Sequence, residues 1–233
     1  MPSAFETLKK LAPTVSVGVL TADLMSLGSE LALLDQTDVS ILHFDVMDGN
    51  FCPALTVGPA FIKAVKTPLL KDIHLMITEP VDKLADYVAA GADIVTVHVE
   101  STRHVHRALQ ALGQMTNAND PERGIARGVA LNPGTPVETV EPLLDEVDMI
   151  ALLAVNPGWG GQRFIESTLR RIEKVRRLIS ESGRDILIAV DGGITRDNVA
   201  EVAKMKPDIV VTGSAVFDGK APVENARFML DAL

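Results

Sequence analysis

Eight short apolar runs rich in Val, Ile and Leu recur along the chain, at residues 15–20, 41–44, 73–76, 94–97, 128–131, 149–155, 186–190 and 209–211. Each is followed by a stretch with helical spacing of apolar positions, at residues 30–34, 61–66, 81–90, 105–112, 137–144, 169–179, 199–205 and 223–233. Runs this short and this apolar read as strands buried on both faces, which is the pattern of a parallel sheet covered by helices. Eight strands alternating with eight helices is the count of an α/β fold closed as a (β/α)8 barrel. Pro80, Pro136 and Pro222 fall where helices should start, and Gly91-Ala92-Asp93 separates helix from strand. The alternative, an open doubly wound sheet of the dinucleotide-binding kind, lacks its GxGxxG turn. With 47% apolar residues but only 4% aromatic, the core must be aliphatic, which suits α/β layers better than a sandwich. A chain of 233 residues with no Pro-, Gly- or Ser-rich linker is expected to form one domain over 1–233.

Charge removes one class of partner. Lys and Arg total 22 against 31 Asp and Glu, a formal charge of −9, and no basic run could neutralise a row of phosphates, so nucleic acid is not an expected partner. A single small phosphate is still compatible, because backbone N–H groups at Gly-rich turns supply a local positive field. One cysteine, Cys52, precludes an internal disulfide and suggests a reducing compartment. No apolar segment reaches membrane-spanning length, and Met1-Pro2-Ser3-Ala4-Phe5-Glu6 lacks the order of a secretion signal, so a cytoplasmic protein without a membrane partner is expected. The polar segment 113–124 breaks periodicity between the fourth helix and fifth strand; it belongs to the face opposite a barrel's active site and should affect assembly or stability.

Barrel chemistry sits at the C-terminal ends of strands, so polar residues there carry the most information. His43 and Asp45 close the second strand with i, i+2 spacing, which turns both side chains to one face; His74 closes the third and Asp191 the seventh. Two imidazoles and two carboxylates at one mouth make a mixed N/O set suited to a divalent ion. Singly, each has a plainer explanation, as a hydrogen-bonded histidine or a turn-forming aspartate. Their joint placement on three strand ends favours a site.

Glycines give the second signal: Gly158, Gly160 and Gly161 flank Trp159 after strand six, Gly192-Gly193 follow strand seven, and Gly213-Ser214 follow strand eight. Loops without bulky side chains let backbone amides approach a phosphate, although any lone glycine is more often a tight turn. Trp159 could cap a substrate or simply pack on the rim. Met47 and Met76 are candidate apolar walls, and His98 and Glu100, again i, i+2, could support the mouth from behind.

The segments His43-Phe44-Asp45-Val46-Met47-Asp48-Gly49, His74-Leu75-Met76, Asn156-Pro157-Gly158-Trp159-Gly160-Gly161-Gln162 and Val190-Asp191-Gly192-Gly193-Ile194 resemble the ribulose-phosphate 3-epimerase family, over about residues 15–217. The resemblance implies a TIM barrel of the ribulose-phosphate-binding type, usually a homo-oligomer. It implies that His43, Asp45, His74 and Asp191 ligate one divalent ion, Zn, Fe, Mn or Co, and that Asp45 and Asp191 form an acid/base pair. One Asp would remove the proton from C3 of a phosphorylated ketose, the ion would stabilise the cis-enediolate, and the other Asp would reprotonate the opposite face. Substrate contacts are implied at Met47, His74 and Met76, the two methionines lying against the planar intermediate, and at the glycine loops with Trp159 and Ser214.

Three positions depart from the family pattern. Val17-Gly18 replaces a Pro-Ser pair whose serine contacts substrate, Leu153 replaces a methionine, and Ala54 replaces an asparagine. They leave the four metal-set residues intact and bear on which sugar is used. Interconversion of D-ribulose 5-phosphate and D-xylulose 5-phosphate is the first expectation; 3-epimerisation of a longer ketose phosphate such as allulose 6-phosphate is the second. Decarboxylase or aldolase chemistry would call for an Asp-x-Lys motif, and Met47 stands where that lysine would be. A barrel that only binds phosphates would be expected to have lost one of the four.

Overall fold

A computed structural model describes residues 3–233; Met1 and Pro2, part of the opening read above for a secretion signal and of the 1–233 domain, lie outside the described residues. Eight parallel strands, β1 (Thr14–Gly18), β2 (Ile41–Met47), β3 (Leu70–Met76), β4 (Ile94–His98), β5 (Ala126–Leu131), β6 (Met149–Leu153), β7 (Leu187–Asp191) and β8 (Ile209–Thr212), pair in sequence order and close into a barrel. The α-helices are α1 (Ala4–Leu11), α2 (Leu27–Leu34), α3 (Pro59–Ala64), α4 (Leu84–Ala89), α5 (Val105–Gly113), α6 (Ser167–Ser182), α7 (Val199–Lys204) and α8 (Pro222–Asp231).

The eight-plus-eight count matches for a reason the sequence pattern did not anticipate. Between β5 and β6 the expected helix is a 3-10 run, Val137–Leu143. Pro142 inside it has no N–H to donate, which disfavours a continuous α-helical ladder. The eighth α-helix is instead α1, before the first strand. Ser3 accepts the Glu6 backbone N–H at 3.1 Å as its N-cap. Ala4 and Leu8 pack into the barrel's interior cluster with Ile41, Leu70, Ile94 and Leu187, so α1 closes the N-terminal end, called here the floor. The first strand is also shorter than expected: it ends at Gly18, and Val19–Thr21 turn as a 3-10 helix onto the mouth.

Two-residue alternation divides every strand between two cores. Outward side chains such as Val15, Leu42, Phe44, Ile73, Val97, Ile150 and Val190 pack against the helices. Inward ones run from apolar at the floor through polar and charged residues to methionine at the mouth: β2 stacks Ile41, His43, Asp45 and Met47, and β3 stacks Leu70, Asp72, His74 and Met76, paired in register as Ile41 with Leu70 through Met47 with Met76.

The 113–124 segment lies at the floor. Asp93, buried, accepts from Asn117 Nδ2 at 3.0 Å, from the Lys71 backbone N–H at 2.9 Å and from the Arg123 guanidinium. The Arg123 carbonyl accepts the N–H of Ala4 at 2.8 Å, tying the segment to α1. No helix among the described residues is long and apolar enough to cross a membrane.

Candidate active site and metal centre

The mouth opens into a cavity of about 1340 Å³ lined by Asp45, Met47, His74, Met76, Asp191 and the loops after β1, β6, β7 and β8. Gly158, Trp159, Gly160, Gly161, Gly192, Gly193, Gly213 and Ser214 all line it, as do the three departures Gly18, Ala54 and Leu153. His43 lies just beneath, 3% exposed.

At the base of this cavity four donor atoms converge, one from each of His43, Asp45, His74 and Asp191, all within 4.8 Å of one another. His43 Nε2 is 3.1 Å from Asp45 Oδ1 and 3.8 Å from Asp191 Oδ2. His74 Nδ1 is 3.1 Å from Asp45 Oδ1 and 3.2 Å from Asp191 Oδ2. Two imidazole nitrogens and two carboxylate oxygens around one point fit a divalent cation of the Zn, Fe, Mn or Co kind. The remote nitrogen of His43 supports the same fit: Nδ1 faces Asp72 Oδ2 at 2.8 Å, which leaves Nε2 as the nitrogen that would ligate a cation in the cluster.

The local field follows from burial and these pairs. Burial alone would lower the pKa of His43, but the Asp72 and Asp45 carboxylates outweigh it and hold the imidazole well above 6.5. At His74 burial is again outweighed, by Asp191 and Asp45, and the group is raised to about 9. Burial works to raise Asp45, yet the two imidazoles bring it far below the usual carboxylate range. Charge thus compensates itself within the metal-free cluster, and a cation would take the place of the imidazole protons.

Some site residues were not singled out by the sequence. Asp72 is 2% exposed, and the same Oδ2 that faces His43 accepts the Ser16 hydroxyl at 2.9 Å. The signal was present, since Asp72-Ile73-His74 repeats the i, i+2 arithmetic of His43-Phe44-Asp45. Thr56 donates to the Asp45 carbonyl at 2.7 Å and accepts the Met47 N–H at 2.8 Å, fixing the end of β2. Arg171 on α6, 9% exposed, donates to the Leu153 and Asn132 carbonyls at 3.1 and 2.7 Å. Asp48 accepts the N–H groups of Asn50, Phe51 and Thr78 and so braces the loop after β2.

The glycines divide by cause. Gly193 has φ of 68°, and a Cβ there would lie 2.7 Å from the Phe164 backbone nitrogen; Gly158 has φ of 118°, and a Cβ would meet Pro53 at 2.6 Å. Close approach of the chain to itself explains both. Gly160 faces open space with an ordinary φ, so a side chain is missing there without any packing reason. Trp159 beside it is 57% exposed and lines the cavity. Gln162 holds this loop's base through the Asn156 backbone N–H and the Trp159 carbonyl at 3.2 and 3.0 Å.

Comparison with known proteins bears on the family. The ribulose-phosphate 3 epimerase family model matches residues 14–217. Ribulose-phosphate 3-epimerase of Bacillus subtilis is 41% identical over 224 residues, 94% of this chain and 98% of the relative. The Escherichia coli K12 enzyme of the same name is 40% identical, covering 88% of each chain, and the chloroplastic ribulose-5-phosphate-3-epimerase of Arabidopsis thaliana is 41% identical over 88% of this chain and 72% of its own. Among solved structures, 3-hexulose-6-phosphate synthase from Salmonella typhimurium superposes with a TM-score of 0.67 at 22% identity, over 94% of this chain and 98% of that one, a likeness of fold alone. With the match spanning nearly all of the barrel, the chain belongs to the ribulose-phosphate 3-epimerase family.

Proposed function

We propose that residues 1–233 form one barrel domain that interconverts D-ribulose 5-phosphate and D-xylulose 5-phosphate, with Asp45 and Asp191 as the acid/base pair and His43, Asp45, His74 and Asp191 holding one divalent ion. The observation that carries this reading is the convergence of two carboxylates from β2 and β7 with two imidazoles at the base of a cavity walled by glycine loops. Strands β8 and β1 separate β2 from β7 in the barrel, so the carboxylates approach from different sides.

One carboxylate takes the proton from C3. The C–H electron pair becomes the C2–C3 double bond, and the carbonyl pair moves onto the C2 oxygen. The other carboxyl group returns a proton to the opposite face, so the pair ends with its protonation exchanged. A divalent ion in the site supplies Lewis-acid stabilisation of the oxygen charge. A carboxylate beside cationic groups is a weak base, so holding C3 against it in a water-poor site must supply much of the rate. Met47 and Met76 give the planar intermediate an apolar, polarisable wall. Backbone amides of the loops bearing Gly158, Gly160, Gly161, Gly192, Gly193, Gly213 and Ser214 hold the phosphate, with Trp159 over it. The protein is expected to act in the cytoplasm as a homo-oligomer.

Removing the metal with a chelator and reloading with Zn, Mn, Fe or Co, then following both ketose phosphates beside a His74→Ala control, tests this. Metal-dependent turnover of the pentulose, absent in the control, is the expected result; no turnover despite bound metal would sink it. Gly18 and Ala54 put nothing larger than a methyl group on the cavity wall, which favours allulose 6-phosphate as the second substrate to try.

A further inference from the structure

His43 and His74 each turn one ring nitrogen to the cluster, and their remote nitrogens are held by different means. His43 reaches the Asp72 carboxylate directly. His74 Nε2 instead faces a second imidazole nitrogen, His98 Nε2, at 2.8 Å. The rings are 18° from parallel with centroids 5.0 Å apart, which together with the short nitrogen separation describes two rings joined edge to edge. Two nitrogens so close share one proton, so one donates and the other accepts.

The far side of His98 decides which. Its Nδ1 lies 3.0 Å from Glu100 Oε2. The other oxygen of Glu100 accepts the Asn132 backbone N–H at 2.9 Å and the Thr135 hydroxyl. A carboxylate engaged in this way presents an acceptor to His98, so the His98 proton sits on Nδ1 and its Nε2 is left to accept. His74 must then carry a proton on Nε2, which leaves Nδ1 as the nitrogen that would give its lone pair to a cation in the cluster. His98 is fully buried, with the Phe51 ring 4.7 Å from its own, so water does not offer either ring a substitute partner. The backbone that supplies the Glu100 donors is itself braced, since Arg171 donates to the Asn132 carbonyl at 2.7 Å.

We propose that Glu100 and His98 are positioning residues that set the tautomer of His74 from two side chains away, making Nδ1 its metal-binding nitrogen. This rests on reading the cluster as a metal centre, and its readouts do not depend on turnover. In zinc-loaded protein labelled with 15N-histidine, long-range 1H–15N spectra should show His98 protonated on Nδ1 and His74 on Nε2, with the His74 Nδ1 resonance displaced by zinc. A His98 proton on Nε2 overturns the proposal. Glu100→Gln places an amide where acceptors are needed on both sides, so zinc affinity measured by chelator competition should fall about 10- to 100-fold, the usual range for a lost partner of a ligating histidine. The melting temperature of the metal-free variant should stay within a few degrees of the parent. Unchanged zinc affinity also overturns the proposal. Zinc binding with these tautomers but no epimerisation would count against the function and leave the relay standing; epimerisation with the opposite tautomers would do the reverse.

Discussion

The two ends of the barrel handle buried charge in opposite ways. At the floor, Asp93 is surrounded by donors: the Asn117 amide, the Lys71 N–H and the Arg123 guanidinium all point at it. At the mouth, Asp45 and Asp191 face two imidazoles and each other's neighbourhood, with Asp191 Oδ2 only 3.2 Å from the nitrogen that also contacts Asp45. A carboxylate saturated by fixed donors has nothing left to exchange and serves stability. Carboxylates sharing one small space with imidazole nitrogens could exchange the imidazole protons for a cation, which is the role proposed above.

Asp191→Asn should produce the largest effect, lowering kcat/KM by roughly 10²- to 10⁴-fold while leaving the melting temperature nearly unchanged. Steady-state kinetics beside a thermal melt would check it, and a variant retaining most of its activity would break the contrast. Asp93→Ala should do the opposite. It leaves Arg123 without its buried partner and should cost about 3–5 kcal/mol in denaturant unfolding, with activity per folded molecule unchanged.

A third test uses pH on the metal-free protein. His74 is raised from 6.5 to about 9, so the stability its proton contributes is fully present below pH 6.5 and is lost as pH rises toward 9. Melting temperature should therefore fall across that window without metal and hold with it, while metal affinity rises as the competing proton leaves. Equal stability of the metal-free protein at both ends of the window would contradict the charge compensation described here. The smallest effect belongs to Trp159→Ala, expected to raise KM several-fold with little change in kcat, because it removes contact made equally with substrate and transition state.

The strands and the four cluster residues were legible because both follow from local rules: aliphatic runs mark buried strands, and i, i+2 spacing puts His43 and Asp45 on one face. What escaped depended on tertiary context. Residues 4–11 carry an amphipathic pattern with Leu8 on its buried side, but only the closed barrel shows that this side plugs the floor. Asp72 reads as an ordinary strand-start residue until pairing sets it beside His43. The 3-10 run at Val137–Leu143 turns on Pro142, whose effect on helix type competes with an apolar spacing that would suit either form. At the glycine loops, sequence could not separate Gly158 and Gly193, required by Pro53 and the Phe164 backbone, from Gly160, which has no such neighbour.

Because α1 buries Leu8 and Ala4 in the floor, the cavity proposed to hold the sugar is approached from the mouth. Reactant and product of the proposed epimerisation differ only in configuration at one carbon and carry the same phosphate, so they must enter by the same mouth and occupy the same seat. Each therefore competes with the other for the site, and the direction of net conversion follows the ratio of the two pools measured against their equilibrium ratio.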